Sequence, residues 1–147
     1  MAKFQFRLQT VLVLRTRERD RAAQSVQQAE SAKQKLLDQI DIVEEERRRL
    51  NESRITGSIG AIDVNRLLDS QRYEGTLLEQ VLGLRNNIAL IEQEIGKRRL
   101  RLVEAEKGVK VLERLAEQQK AAWTEAEFKR QQDVLDEWAS FRHYADS

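Results

Sequence analysis

Proline and cysteine are both absent from this chain of 147 residues, and only eight of its residues are aromatic. Without proline, no position loses its backbone donor or clashes with the preceding helical turn, so nothing forces a long helix to stop. Without cysteine, disulfides, zinc–thiolate sites and thiol catalysis are excluded. An aromatic content of 5% beside 35% charged residues leaves too little large apolar surface for a layered core. It is enough for a narrow seam between helices.

Long apolar runs are missing too. No stretch approaches the roughly 18 residues needed to span a bilayer, and the opening Met1-Ala-Lys-Phe-Gln-Phe lacks the apolar stretch of a signal peptide. Charge of one sign is also lacking, with 26 Lys plus Arg against 25 Asp plus Glu. No global field therefore draws the chain to nucleic acid or to an anionic membrane. These absences together predict a soluble, cytoplasmic protein with no nucleic-acid partner and no direct membrane insertion.

Ala, Glu, Lys, Leu and Arg make up 75 of the 147 residues, about the half that marks coiled coils and long helices. One break interrupts them. Small and polar residues gather from Asn51 to Gly60, with glycine at 57 and 60, and glycine is the usual residue where a helix must end. Ser58 and Asp63 are candidate caps for the second helix. A single coiled-coil domain over 1–147 is predicted, with helix 1 at about 4–54, a turn at about 55–61 and helix 2 at about 62–144.

The first arm carries a heptad column through Leu8, Arg15, Ala22, Ala29, Leu36, Val43 and Leu50. A second column starts at Phe4 and Val11 and passes to Val26 and Ile40, with Lys33 and Arg47 interrupting. The second arm is cleaner. Alternating steps of four and three join Leu77, Val81, Leu84, Ile88, Ile91, Ile95, Arg98, Leu102, Ala105, Val109 and Leu112, and reach Trp123. A mean spacing of 3.5 residues keeps one stripe toward a partner helix in a left-handed supercoil. The fold class expected is all-α, an antiparallel two-helix coiled-coil hairpin with a longer second helix. Folding about residue 58 places Leu8 near Gly108 and Glu18 near Arg98, the latter as a polar layer in the seam. The second arm then outruns the first from about residue 112.

Chemistry has few places to reside. His143 is the one histidine and lies near the end, so no catalytic or metal site is expected, and no cofactor. The consecutive Glu44, Glu45 and Glu46 point in different directions on a helix and cannot form a facing pair. The basic runs Arg47–Arg49 and Lys97–Arg101 have acidic residues three or four positions away, which predicts pairing along each helix. The aromatics are more telling. Phe4 and Phe6 open the chain, while Trp123, Phe128, Trp138, Phe141 and Tyr144 close it. Aromatics on an unpaired helix are typical interface anchors; the alternative is that they cap the coil or drive self-association. Near the turn, Leu67, Leu68, Leu77, Leu78, Val81 and Leu82 form a stripe wider than one partner helix needs. Either the first arm wraps that stripe, or a second binding surface lies beside Tyr73.

The opening Phe4-Gln-Phe6-Arg7-Leu8-Gln-Thr-Val11-Leu12-Val-Leu14-Arg15 resembles the start of the FliJ family of bacterial flagellar export proteins. The closing Phe128-Lys-Arg130-Gln-Gln-Asp-Val-Leu135-Asp136-Glu137 resembles the same family's C-terminal segment. The resemblance implies a non-enzymatic component of the flagellar type III export apparatus, shaped like the stalk of a rotary ATPase. Its implied partners are the hexameric export ATPase, the cytoplasmic domain of the export gate membrane protein, and substrate-specific export chaperones. Peripheral association with the membrane-bound apparatus goes with these partners. Implied ATPase contacts are Trp123, Phe128, Arg130, Leu135, Asp136, Glu137 and Trp138, and implied gate contacts are Tyr73 and Leu77. Two other readings compete. One is a structural spacer or dimerisation rod, which predicts a long two-chain coil instead of a folded monomer with a free end. The other is the related stalk of injectisome secretion systems.

Overall fold

In the computed structural model, which describes residues 2–57, 60 and 63–146, helix α1 spans Gln9–Gly57 and helix α2 spans Val64–Ala145. The two helices pack against each other as an antiparallel hairpin, and the second is longer by 82 residues to 49. At the turn, Asp63 caps α2. Its carboxylate accepts the Asn65 amide at 3.0 Å and its carbonyl accepts the Leu67 amide at 3.1 Å, satisfying donors that the helix itself leaves free. Ser58, the other candidate cap, lies outside the described residues. Gly60 adopts φ +140°, a conformation closed to most side chains.

Helix α1 starts at Gln9, later than the expected position near residue 4. The residues before it offer no Ser, Thr, Asp or Asn to cap a helix start. Instead Phe6 is buried and its carbonyl accepts the Gln9 amide at 3.1 Å in a turn.

The hairpin divides into two compact units, Ala22–Leu102 with the turn, and Met1–Arg21 with Val103–Ser147. In the first, Val26, Ala29, Leu77, Val81 and Ile95 are buried, and Leu36, Val43 and Ile88 are half-buried. In the second, Val109 is 1% exposed, with Leu8 and Leu12 half-buried. Val11, expected in the seam, is exposed, and Leu12 is its half-buried neighbour. Steps of seven back from Val26 pass Arg19 and arrive at Leu12, so Val11 falls one position outside the column.

The register departs from the expected one by a single heptad. Arg15, seven residues beyond Leu8, has its Cδ 3.8 Å from where a Cβ on Gly108 would lie. Arg98 donates to the Ser25 carbonyl at 2.8 Å and pairs with Glu94 at 3.1 Å, while Glu18 pairs with Arg15 at 3.2 Å. Ser25 is again seven residues beyond the expected Glu18. The Glu18–Arg98 layer is thus replaced by one that uses a backbone carbonyl. A seven-residue slide leaves every seam column facing a seam column, so the apolar pattern cannot reject it. The limits of the helices decide, because a connection centred between Gly57 and Val64 moves the pivot beyond residue 58.

Polar groups mark this register within Ala22–Leu102. Lys33 reaches Glu92 at 3.1 Å, Arg99 reaches Glu30 at 2.8 Å, and Arg54 binds Glu74 and Ser70, each at 2.7 Å. Arg47, Arg48 and Arg98 pair with glutamates of their own helix, as their spacing predicts. Gly83 and Gly96 interrupt none of this, and a Cβ at either would meet nothing within 4 Å. Gly83→Ala and Gly96→Ala are therefore each expected to stabilise the hairpin by about 1 kcal/mol, since the helix loses only glycine's backbone entropy. A thermal melt that moves down with either variant would contradict this.

Candidate functional site: an uncovered helix end

Helix α2 keeps half-buried positions at Leu112, Leu115, Ala116, Trp123 and Glu127. Cover therefore runs some fifteen residues beyond the expected limit near 112. One cause is the register. The other is the segment before α1: non-helical chain advances about 3.3 Å per residue against 1.5 Å in a helix, so a few residues reach far. Phe4 stands against Trp123 with ring centroids 6.0 Å apart and planes tilted by 49°. From Phe128 to Asp146 every residue is exposed.

This uncovered end is amphipathic. At 100° per residue, Phe141, Val134, Trp138, Leu135 and Phe128 fall in that order along one arc of about 140°. Phe128, Leu135 and Trp138 are 64%, 68% and 64% exposed. Asp133, Asp136, Glu137 and Ser140 occupy the opposite arc, where they line a shallow furrow with Phe141 and Tyr144. Arg130 lies between the two arcs and pairs with Glu127 at 2.6 Å. The seven residues expected at this end are therefore not one patch. Three share the apolar arc, Asp136 and Glu137 face away from it, Arg130 is tied to its own helix, and Trp123 is held by Phe4. Val134 and Phe141 belong with the apolar three, a membership visible in the steps of 128, 135, 138 and of 134, 141.

Nearer the turn, Tyr73 is exposed and its hydroxyl donates to the Glu46 carboxylate of α1. Leu77, the implied gate contact beside it and also the first residue of the second arm's seam stripe, is 1% exposed. One helical turn from Tyr73 it reaches the seam, and its side chain is spent on α1. The surface next to Tyr73 is instead a shallow groove lined by Gln39, Ile42, Val43, Gln80, Gly83, Leu84 and Asn87. Amides rim an apolar floor there, and Gly83 leaves room over it.

The Glu46 hydrogen bond holds the Tyr73 proton and raises its pKa above the ordinary phenol value, with partial desolvation and the Glu46 charge acting in the same direction. A proton held more tightly in the folded state stabilises it up to the ordinary phenol range, and that contribution is lost as pH rises through the raised value. In a Tyr144→Phe background, the ultraviolet titration of Tyr73 is expected to shift downward on Glu46→Gln. An unmoved inflection would show that this bond does not hold the proton.

Among the described residues, no three His, Cys, Asp or Glu side chains cluster as metal ligands, and no helix is long and apolar enough to cross a membrane. No curated protein and no solved structure matches the chain. A family match does exist: residues 4–146 fit the family described as Flagellar FliJ protein. That span takes in the Phe4–Trp123 contact, both helices and the uncovered end, so the chain belongs to the FliJ family and has a role related to flagellar export.

Proposed function

We propose that the chain acts as a non-enzymatic stalk that inserts its uncovered α2 end into the hexameric export ATPase. The observation that carries this reading is the continuation of α2 past its cover with an exposed apolar arc from Phe128 to Phe141. A lone helix is marginal in water, and aromatic anchors on one face are what a helix-binding groove uses. A single chain in a six-fold pore touches the subunits unequally. It biases their assembly and their nucleotide cycle through differential contacts, without chemistry of its own. Mixing the full chain with the ring ATPase is expected to promote hexamers and to raise ATP hydrolysis. If neither changes, the stalk reading falls.

The turn-proximal region supports a second contact. Tyr73 and the neighbouring groove over Gly83 suit an apolar side chain presented by the cytoplasmic domain of the export gate protein. Export chaperones complete the proposed set of partners, and the site of action is then the cytoplasmic face of the export apparatus. A flagellar system is favoured over an injectisome by the family match.

A further inference from the structure

Helix α2 carries a second heptad stripe on the side turned away from α1. Steps of four and three from Val64 pass through Leu68, Gln71, Gly75, Leu78 and Leu82. At 100° per residue these fall within one arc of about 80°, centred about 120° from the seam residues Leu77 and Val81. The four apolar side chains among them are exposed, whereas Leu77 and Val81 are buried. The apolar run ends at the next position, Arg85, and farther along the same steps Glu92 and Arg99 form ion pairs with α1. It is a coiled-coil face without a partner helix.

We propose that this face pairs with the same face of a second copy of the chain, antiparallel, with the two-fold axis close to Gly75. The stripe is self-complementary in that arrangement. Leu78 of each copy lies over Gly75 of the other, and Leu82 lies over Gln71. A Cβ at Gly75 would meet nothing within 4 Å inside the chain, so the glycine leaves an open notch for the partner's leucine. Charge selects the same register. Arg72 and Glu79 flank one edge of the stripe, seven residues apart, and both are exposed. Neither side chain has an ion-pair or hydrogen-bond partner among the described residues. Flanking positions on the same edge meet each other across an antiparallel pair. The axis near Gly75 therefore places Arg72 of each copy against Glu79 of the other, twice. A parallel pair would turn the edge carrying Arg72 and Glu79 toward the partner's other edge, at Leu67 and Glu74, and would form neither ion pair. Each copy keeps its own seam, and no residue of the uncovered α2 end takes part.

A stripe of this length belongs among small, transient interfaces, with self-association at about 10 to 100 μM. Sedimentation velocity of the full chain from about 5 to 500 μM is expected to show a monomer–dimer equilibrium. Arg72→Glu alone and Glu79→Arg alone should each weaken it at least about tenfold, and the double exchange should restore it to within a few-fold. Unchanged thermal melts would confirm that these exposed positions leave the fold intact. Because the chain has no cysteine, orientation can be read directly. Gly75→Cys should cross-link to itself on oxidation, whereas Leu68→Cys should not. A chain that stays monomeric throughout overturns the proposal. So does a dimer indifferent to the exchanges, or one that Leu68→Cys cross-links as readily as Gly75→Cys.

Discussion

Replacing Phe128, Leu135 and Trp138 together by alanine is expected to leave the hairpin's melting curve unchanged and to weaken binding to the ring ATPase at least about 100-fold. Folding makes almost no use of these side chains, since each is about two-thirds exposed and none has a ring or polar partner among the described residues. Alanine also favours helix more strongly than Phe or Trp, so the exposed end keeps its conformation. Binding is the opposite case. Interface energy concentrates in a few aromatic and large apolar anchors, each costing on the order of 2 kcal/mol when truncated, though not additively. Trp123→Ala provides the internal contrast, because it removes a ring that Phe4 already uses and should lower stability as well as binding. Asp136→Asn with Glu137→Gln should act differently again. These carboxylates stand opposite the apolar arc, and charges at an interface edge mainly alter association rate and salt dependence. A triple variant that binds the ring as well as the parent removes the apolar arc from the interface. One that melts earlier makes the arc part of the fold.

The seam was legible because the second arm repeats its apolar residues with hardly an interruption. Leu77, Val81, Ile95 and Val109 lie where the steps of four and three put them, and all are buried. Register was not legible, for a reason internal to heptads. Sliding by seven exchanges Leu8 for Arg15 opposite Gly108 and changes no column. What separates the alternatives is where each helix stops, and the polar residues from Asn51 to Gly60 blur that by several positions. The start of α1 is not legible, because Phe4 continues the apolar column by number although it sits in non-helical chain against Trp123. The candidate site was legible in composition only. Aromatics near the end of the chain signalled an interface, but their division between two arcs needed the helix phase. The steps of four and three place Leu77 in the seam, and its burial there leaves Tyr73, four residues back, as the exposed member of the pair.

That distinction sets the second large effect. Leu77→Ala is expected to cost about 3 kcal/mol, because a side chain 1% exposed leaves both lost transfer energy and an unfilled space. For a chain of this size the melting midpoint should fall by about 6 to 12 °C. Tyr73→Ala removes an exposed ring and one hydrogen bond to Glu46, so its cost should stay well below that of Leu77→Ala. The order reverses for the export gate protein. Under conditions where both variants are folded, Tyr73→Ala should weaken that contact and Leu77→Ala should spare it, because a side chain enclosed by two helices offers nothing to a third. Denaturant melts and gate-domain titrations of the two variants give four numbers whose pattern is fixed in advance. A Leu77→Ala variant that melts normally yet fails to bind would mean that the seam near the turn is open in solution. The groove over Gly83 would then be larger than the one its present walls enclose.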